Sequence, residues 1–217
     1  MKKQVTLVIA TRNKGKTEEI RAMLEGQPVL IKNLDDFGPI PEVVEDGATF
    51  DENAYKKASF TARVLGLPAL ADDSGLVVSA LYGRPGVHSA RYGGPDATDE
   101  ERVQKLLAEM NRVKDRSAAF QCVISIAVPQ GAALTYEGRV EGLIVEQPSG
   151  VGGFGYDPIF YYPEYKKTFA EMTIEEKGRV SHRGKALSEV VKEFDKVVAW
   201  IDLNMPRFVS SHGEGGH

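Results

Sequence analysis

Cysteine is almost absent from the sequence, which has 217 residues and a single cysteine, Cys122. An intramolecular disulfide and a cysteine-based zinc site are therefore both excluded. No histidine pair has a metal-ligand spacing such as H-E-x-x-H; the four histidines are His88, His182, His212 and His217. No stretch approaches the roughly 18 consecutive apolar residues of a transmembrane helix, and no secretory signal pattern follows the N-terminus. We expect a cytoplasmic protein without a membrane partner.

A strong excess of basic residues is also missing, because 27 lysines and arginines face 31 aspartates and glutamates, for a net charge of −4. Proteins dedicated to nucleic acids or membrane surfaces usually carry a marked positive excess, so we expect no nucleic-acid partner. The 42% hydrophobic and 27% charged residues are typical of a globular chain that buries its own core. We predict one domain over residues 1–208, with a disordered Gly/Ser/His tail over residues 209–217.

The spacing of apolar residues switches between the periods of strands and helices along the chain. Strands are expected at residues 5–10, 29–31, 70–71, 76–78, 118–128 and 134–145. Helices are expected at residues 14–24, 50–65 and 186–201, and two more begin at capping-box patterns after Thr98 and Thr173. Strands alternate with helices early in the chain and an antiparallel strand pair comes late, which predicts an α/β fold with a mixed sheet.

Two familiar nucleotide motifs match the sequence only in part. Gly15-Lys16-Thr17 stands between a predicted strand and a predicted helix like the end of a P-loop, but Ala10 replaces its leading glycine. Leu70-Ala71-Asp72 resembles the metal-holding strand end of such proteins, so a P-loop NTPase remains an alternative. The stretch 150–155 fits G-x-G-x-x-G, but Asp157-Pro158 and an aromatic run follow it instead of a helix, which argues against a dinucleotide fold.

Three cations lie at the predicted N-terminus of the first helix. The segment Thr11-Arg12-Asn13-Lys14-Gly15-Lys16 adds a hydroxyl and an amide to these cations. The free N–H groups of a helix N-terminus attract anions. Cations there oppose the helix dipole, so they are poorly suited to stability alone. We favour an anion-binding site over the alternative, a solvated basic turn.

An acidic segment, Asp72-Asp73-Ser74-Gly75, lies between two apolar stretches. Burying a carboxylate pair without compensation is costly, and a divalent cation would explain the placement. Glu45 or Asp46 could supply a second ligand. Carboxylates and hydroxyls without cysteine favour Mg²⁺ or Mn²⁺ over zinc. The alternative is a plain turn at a strand end, stabilised by its own Asp and Ser side chains.

The C-terminal third combines an aromatic segment with a basic one. Phe154-Gly155-Tyr156-Asp157 offers an aromatic face and a polar acceptor, and residues 177–188 contain four lysines and arginines around His182 but no acid. A nucleobase pocket needs an aromatic ring to stack on the base and donors to read its edge. Together with the basic turn and the acidic segment, these residues predict a nucleoside triphosphate site. A module that binds nucleotides without turnover remains an alternative.

At this point the sequence resembles the inosine triphosphate pyrophosphatase family, whose members hydrolyse non-standard purine nucleotides such as dITP, ITP and XTP to monophosphate and pyrophosphate. The matching blocks occur in the family's order and are residues 11–16, 49–54, 71–76, 85–92, 152–160 and 181–184. The resemblance implies an elongated, mixed-sheet α/β fold with two lobes and a deep central cleft. It also implies a homodimer and a small-molecule nucleoside triphosphate as the partner.

Carried over position by position, the resemblance implies that six residues grip the triphosphate: Thr11, Arg12, Asn13, Lys14, Gly15 and Lys16. It makes Asp73 the general base and a metal ligand, and Ser74 a substrate contact. The implied nucleobase-binding residues are Phe154, Gly155, Tyr156, Asp157, Lys177, His182 and Arg183. The family often has two adjacent acids before Gly47, whereas Val44-Glu45 leaves only Glu45 as the second metal ligand. The implied metal is Mg²⁺, with Mn²⁺ as a substitute.

Overall fold

The computed structural model describes residues 4–206, so the predicted tail at 209–217 lies outside the described residues. The strands are β1 (Val5–Ile9), β2 (Val29–Asn33), β3 (Ala69–Val78), β4 (Ser117–Ala127), β5 (Ala133–Ile144), β6 (Phe160–Tyr162) and β7 (Lys167–Thr168). The α-helices are α1 (Lys14–Met23), α2 (Phe50–Leu65), α3 (Asp99–Glu109), α4 (Ile174–Val180), α5 (His182–Lys192) and α6 (Phe194–Asn204). Short 3-10 helices occupy Leu34–Phe37, Ser79–Leu81, Gly86–Arg91, Asp157–Ile159 and Phe169–Glu171.

The strands form one mixed sheet in the order β2-β1-β3-β4-β5-β6-β7. β1 pairs in parallel with β2 and β3, and the remaining neighbours pair antiparallel. The predicted mixed α/β fold is therefore confirmed. The sequence does not indicate β6 and β7, because strands of three and two residues are too short to produce an apolar pattern. Within residues 4–206, no helix is long and apolar enough to cross a membrane.

The acidic segment 72–75 lies inside a strand, so the prediction of a turn between two short strands is wrong. β3 runs unbroken from Ala69 to Val78 and pairs with β4 at every position, including Asp72 with Ile124. Aspartate and glycine have low strand propensity, which is why the sequence suggests a turn. The long partner strand β4 overrides this local preference, because it provides a pairing position for each residue of β3.

The sheet has a step beside the acidic segment. β1 pairs with β3 only as far as Leu70. Farther along the same edge, Leu76 N donates a hydrogen bond to Ser89 Oγ at 2.9 Å. Because main-chain groups alternate between the two edges of a strand, those of Asp72 and Ser74 face the gap between these two contacts. The gap opens beside the turn that connects β1 to α1.

Helices cover both faces of the sheet, and the alternation of β3 separates its two carboxylates. α1, α5 and α6 pack on one face around a core that includes Leu70 and the buried thiol of Cys122, and α2 packs on the other face around an alanine-rich core. Because successive strand residues point to opposite faces, Asp72 points toward α1 and α5, and Asp73 points toward α2. A third core lies farther along the long strands, with α3 and β6. The long strands therefore run from the core beneath α1, α5 and α6 to this third core, with the acidic segment between them.

The amphipathic segment 186–201 forms two helices, so the prediction of a single helix is wrong. The break lies at Glu193, between α5 and α6. Both helices bury apolar side chains in the same core, so the apolar spacing continues across the break and does not reveal it. α5 also begins earlier than predicted, at His182, because the Ser181 hydroxyl accepts a hydrogen bond from Gly184 N at 3.0 Å and caps the helix.

Two glycines allow the first turn of α5 to pack closely against its neighbours. A Cβ on Gly138 of β5 would overlap the carbonyl oxygen of His182, and a Cβ on Gly184 would overlap that of Gly178 in α4. Because these positions carry only hydrogen, the backbones approach closely, and the side chains of His182 and Arg183 are both buried. The glycines thus determine how deeply these two side chains enter the protein.

We predict that Gly138→Ala lowers the free energy of unfolding by about 2 kcal/mol, because the added methyl group overpacks the contact between β5 and α5. Urea unfolding followed by circular dichroism measures the change. Glu137→Ala is the matched control, since Glu137 is the exposed neighbour on the same strand and its replacement should shift stability by at most about 0.5 kcal/mol. An unchanged unfolding midpoint for Gly138→Ala would contradict the close packing.

Candidate functional site

Two cavities meet in the gap beside β3. The smaller has a volume of about 100 Å³ and the larger a volume of about 360 Å³. Residues that line both cavities are Asn13, Lys16, Ser74 and Ala90. The two cavities are therefore connected parts of one cleft, and we name the smaller one the inner compartment and the larger one the outer compartment.

The cleft brings together most of the predicted site residues. Residues that the resemblance assigns to the nucleobase line the inner compartment: Phe154, Gly155, Tyr156, Asp157, Lys177, His182 and Arg183. The outer compartment is lined by Thr11, Arg12, Glu45 and Asp73 as well as by the shared residues. Two predicted residues, Lys14 and Gly15, line neither compartment. The Lys14 side chain is exposed to solvent on the first turn of α1.

The basic turn is held in place by its own polar side chains. Asn13 caps α1, and its Oδ1 accepts a hydrogen bond from Lys16 N at 3.0 Å. Thr11 Oγ1 accepts a hydrogen bond from Asn13 N at 3.2 Å. Lys16 Nζ lies 3.1 Å from Asp72 Oδ1, an ion pair that lacks hydrogen-bond geometry. The turn therefore points a lysine at β3 from the beginning of α1.

The ring of Phe154 connects the basic turn with the inner compartment. It packs against Gly15 so closely that a Cβ on this glycine would overlap the ring. Lys177 Nζ lies 4.6 Å from the ring centroid, and Arg183 Cζ lies 5.7 Å from it. Cations at these distances are attracted by the face of an aromatic ring. Gly15 lines neither compartment, but its lack of a side chain leaves space for the ring of Phe154, which lines the inner compartment.

A chain of buried ion pairs runs behind the cleft from β3 to the Asp157–Ile159 turn. Arg183 donates to Asp72 Oδ2 from Nε at 3.1 Å and from Nη2 at 2.7 Å, and its Nη1 pairs with Glu19. Lys177 Nζ lies 2.6 Å from Glu19 Oε1 and 2.5 Å from Asp157 Oδ2. Each buried charge thus has an opposite partner, which offsets the cost of removing it from water.

The ion-pair chain changes the pKa values of its members. Burial alone would raise the pKa of Asp72, but Arg183 and Lys16 outweigh it and hold this pKa well below its usual range. Burial would also raise the pKa of Glu19, but the positive charges of Arg183 and Lys177 outweigh it and lower this pKa. Burial raises the pKa of Asp157, because the positive charge of Lys177 offsets only part of the increase. Asp72 and Glu19 are therefore ionised at neutral pH.

Asp73 belongs to a second charge cluster on the opposite face of the sheet. Lys57 of α2 donates to Asp73 Oδ1 at 2.9 Å and to Glu45 Oε2 at 3.3 Å. Asp73 Oδ2 is buried and has no hydrogen-bond partner. Burial raises the pKa of Asp73, and Lys57 reverses only part of that shift. The carboxylate therefore presents one fixed oxygen to Lys57 and one free oxygen.

This free oxygen fits a divalent cation. Within residues 4–206, no group of three or more His, Cys, Asp or Glu side chains could hold a metal by itself. Mg²⁺ is commonly bound by one or two carboxylates together with substrate phosphates, so Asp73 and Glu45 are a suitable protein contribution. Both residues line the outer compartment, where a phosphate group could complete the coordination.

His182 is a neutral side chain in the wall of the inner compartment. Its ring stacks on Phe120, with centroids 4.6 Å apart and an interplanar angle of 10°. Burial lowers the pKa of His182 well below its usual range, and the positive charges of Arg183 and Lys177 lower it further. Its Nδ1 is buried without a hydrogen-bond partner. A neutral imidazole can donate from one ring nitrogen and accept at the other, which suits contact with a polar ligand.

The sequence prediction misses several residues of the site, among them two members of the charge clusters and one residue that holds the aromatic loop. Lys57 falls on the buried face of α2, between Ala54 and Ala58, so helical spacing could have revealed a buried lysine there. Glu19 precedes the buried Ile20 on α1, which is a weaker signal. Asp99 begins α3, and its Oδ2 accepts a hydrogen bond from Gly155 N at 2.6 Å. An acidic residue at a helix start is ordinary, so nothing in the sequence indicates this contact.

A family model covers most of the chain. The model of the Ham1 family matches residues 7–193, a range that includes every predicted site residue. The chain belongs to the Ham1 family. The Ham1 assignment confirms the family resemblance predicted from the sequence blocks, since similar curated proteins carry the name dITP/XTP pyrophosphatase.

Known Ham1 relatives are similar over nearly the whole chain. The dITP/XTP pyrophosphatase of Syntrophobacter fumaroxidans is 65% identical over 195 residues, which cover 90% of this chain and 84% of the relative. The structure of a HAM1 protein from Coxiella burnetii has a TM-score of 0.81 and 42% identity, and the match covers 88% of this chain and 99% of that one. For the Ham1 protein of Staphylococcus aureus the TM-score is 0.79 and the identity 38%, with the same coverage. These neighbours confirm the predicted fold class.

We predict that His182 makes stability depend on pH. In the unfolded chain His182 binds a proton near its ordinary pKa of 6.5, whereas in the folded protein it stays neutral to much lower pH. Protonation therefore favours the unfolded chain, and the stabilising contribution is lost as pH falls below about 6.5, with a slope of at most about 1.4 kcal/mol per pH unit. The charged groups around His182 are Arg183, Lys177, Lys16 and Asp72.

Urea unfolding at several pH values between about 7.5 and 5.5 tests this dependence. His182→Gln should lose less stability than the wild type over this range, by about 1 kcal/mol. His88→Gln is the control, because it removes an exposed histidine and should follow the wild type. Parallel curves for the wild type and His182→Gln would show that the buried imidazole does not carry the effect.

Proposed function

We propose that this protein hydrolyses non-standard purine nucleoside triphosphates (dITP, ITP and XTP) to the monophosphate and pyrophosphate, and so removes them from the nucleotide pool. The observation that carries the proposal is the two-compartment cleft. An aromatic inner compartment with neutral and cationic donors meets, at Lys16 and Ser74, an outer compartment with cations and a carboxylate pair. The nucleobase would lie in the inner compartment and the triphosphate in the outer one.

The donors of the inner compartment support a preference for a 6-oxo purine. Lys177 and Arg183 are fixed donors in the ion-pair chain, and His182 has an unpaired ring nitrogen beside them. A 6-oxo group would accept from an N–H of His182 or of Lys177 that the ion-pair chain does not use, whereas the 6-amino group of adenine would leave that N–H unpaired. Buried donors without partners are costly, so the proposed site favours hypoxanthine and xanthine over adenine.

Hydrolysis is proposed to follow from the position of Asp73. The Asp73 carboxylate accepts a proton from a water molecule, and the water oxygen forms a bond to the α-phosphorus. The bond from the α-phosphorus to the bridging oxygen breaks, and its electrons leave with pyrophosphate. Lys57 fixes the orientation of Asp73 by holding Oδ1 at 2.9 Å. Lys16 neutralises part of the charge that develops on the leaving group.

We also propose Mg²⁺ as the metal, with Mn²⁺ as a substitute, held by Asp73 and Glu45. When bound, the metal neutralises phosphate oxygens and makes the phosphorus a better target for attack. The resemblance further supports a homodimer in the cytoplasm. Sedimentation equilibrium that detected only a monomer would contradict the dimer.

Product analysis tests the proposed function. Purified protein is incubated with Mg²⁺ and, separately, with ITP, dITP, XTP, ATP and GTP, and the products are separated by ion-exchange chromatography. We expect monophosphate and pyrophosphate from the first three nucleotides only; the 6-oxo contact accounts for the exclusion of ATP, and the exclusion of GTP requires a further contact that rejects its 2-amino group. Orthophosphate from ATP would instead support the P-loop alternative, and binding without any product would support a nucleotide-sensing module.

We predict that Asp73→Asn lowers kcat for dITP by about 10²–10³, because the amide cannot accept the proton of the attacking water and is a poorer metal ligand. Steady-state release of pyrophosphate at saturating Mg²⁺ measures the loss. Asp46→Asn is the matched control, since Asp46 is exposed in the same loop as Glu45 and pairs only with Lys56 among the described residues. If Asp73→Asn keeps the wild-type turnover, the assignment of Asp73 as the base is wrong.

A further inference from the structure

Arg91 is the cation of the outer compartment whose charge is not balanced by a carboxylate. The other cations that line this compartment each have an acidic partner: Arg12 with Asp35 at 3.4 Å, Lys16 with Asp72 at 3.1 Å, and Lys57 with Asp73 at 2.9 Å. Within residues 4–206, no carboxylate lies within ion-pair distance of Arg91. Four cations and three carboxylates line the compartment, and Arg91 is the one of these four that has no ion-pair partner among residues 4–206.

The backbone that carries Arg91 is anchored on both sides of the cleft. Arg91 ends the Gly86–Arg91 helix, in which Ser89 Oγ accepts from Leu76 N of β3 at 2.9 Å and donates to the carbonyl of Gly86 at 2.6 Å. Tyr156 of the inner compartment donates to Ser89 O at 2.9 Å. The segment is therefore fixed to β3 and to the aromatic loop, and it holds Arg91 at the side of the outer compartment.

Two nitrogen atoms of the Arg91 guanidinium make no hydrogen bond within the described residues. Its Nη2 donates to the main-chain oxygen of Glu45 at 3.1 Å and lies 3.1 Å from His88 Nδ1. An arginine cannot accept a hydrogen bond, so His88 Nδ1 is the acceptor in this contact. Both contacts use Nη2, which leaves Nε and Nη1 as further donors. Free Nε and Nη1 donors on a guanidinium in a cationic cavity can each donate a charge-assisted hydrogen bond to a phosphate oxygen.

We propose that Arg91 is a substrate-binding residue that contacts the distal phosphates of the nucleotide and the pyrophosphate product. This inference rests on the proposed function, because it requires a triphosphate in the outer compartment. Arg91 also joins the Glu45 loop to the Gly86–Arg91 helix, so phosphate binding at its free donors leaves the Nη2 contact with Glu45 intact. The nucleobase would lie in the inner compartment, which Arg91 does not line.

Binding measurements with the two products separately test the assignment. Isothermal titration calorimetry at saturating Mg²⁺ gives the Kd of inorganic pyrophosphate and, in parallel, the Kd of IMP. We expect Arg91→Ala to weaken pyrophosphate binding about tenfold, since it removes charge-assisted hydrogen bonds, and to change the Kd of IMP by less than about twofold. Arg91→Lys, which keeps the charge but replaces the separate guanidinium donors by one ammonium group, should fall between the wild type and Arg91→Ala.

Arg84→Ala is the matched control, because Arg84 precedes the same helix and pairs with Glu109 outside both compartments. It should bind pyrophosphate like the wild type. An unchanged Kd for pyrophosphate in Arg91→Ala would overturn the proposal, and so would an equal loss of pyrophosphate and IMP binding, which would indicate a purely structural role. If Arg91→Ala does not fold, Arg91→Lys decides between these outcomes.

The failure of this proposal and the failure of the proposed function can be told apart. A wild-type protein that released orthophosphate, or no product, would refute the function without any measurement on Arg91. A wild-type protein that released pyrophosphate from dITP, combined with normal pyrophosphate binding by Arg91→Ala, would refute only the role of Arg91.

Discussion

Two adjacent buried carboxylates in the middle of β3 are the constraint on which the rest of the structure depends. Asp72 and Asp73 are 1% and 6% exposed, and neither could stay ionised there without cations brought in from other elements. Because they point to opposite faces of the sheet, each face must provide its own cation. Arg183 of α5 approaches Asp72 from one side, and Lys57 of α2 approaches Asp73 from the other. The helices on both faces are thus tied electrostatically to one point of the sheet.

This arrangement links the two ends of the cleft. α1 begins at the basic turn with Lys16, which pairs with Asp72, and one turn later carries Glu19, which pairs with Arg183 and Lys177. The ring of Phe154 packs on the same turn at Gly15. A ligand that moved α1 at the outer compartment would therefore act on the cations of the inner compartment through direct contacts. The step in the sheet makes this possible, because it leaves the edge of β3 open where the two compartments meet.

Much of the fold is readable from local patterns. The strands β1, β4 and β5 and the helices that follow capping boxes at Thr98 and Thr173 appear where the sequence predicts them, and both boxes are formed. These elements depend on contacts within a few residues or on uninterrupted apolar periodicity. The prediction is wrong where contacts with residues far away in the sequence determine the local structure. β3 continues through its acidic segment because β4 pairs with it, and the helix after Arg183 breaks at Glu193 without any change in apolar spacing.

The sequence by itself determined the family, the fold class and the kinds of residue that a triphosphate site requires, because blocks of neighbouring residues carry that information. Only the tertiary structure decided which of them meet. It separates Asp72 from Asp73, leaves Lys14 exposed, and adds Lys57 and Glu19 to the charge clusters. The physical reason is that the charge of a buried group is compensated through space. Packing across the sheet determines which cation pairs with a buried carboxylate. The two residues are far apart in the sequence, so the local spacing of residues does not reveal the pair.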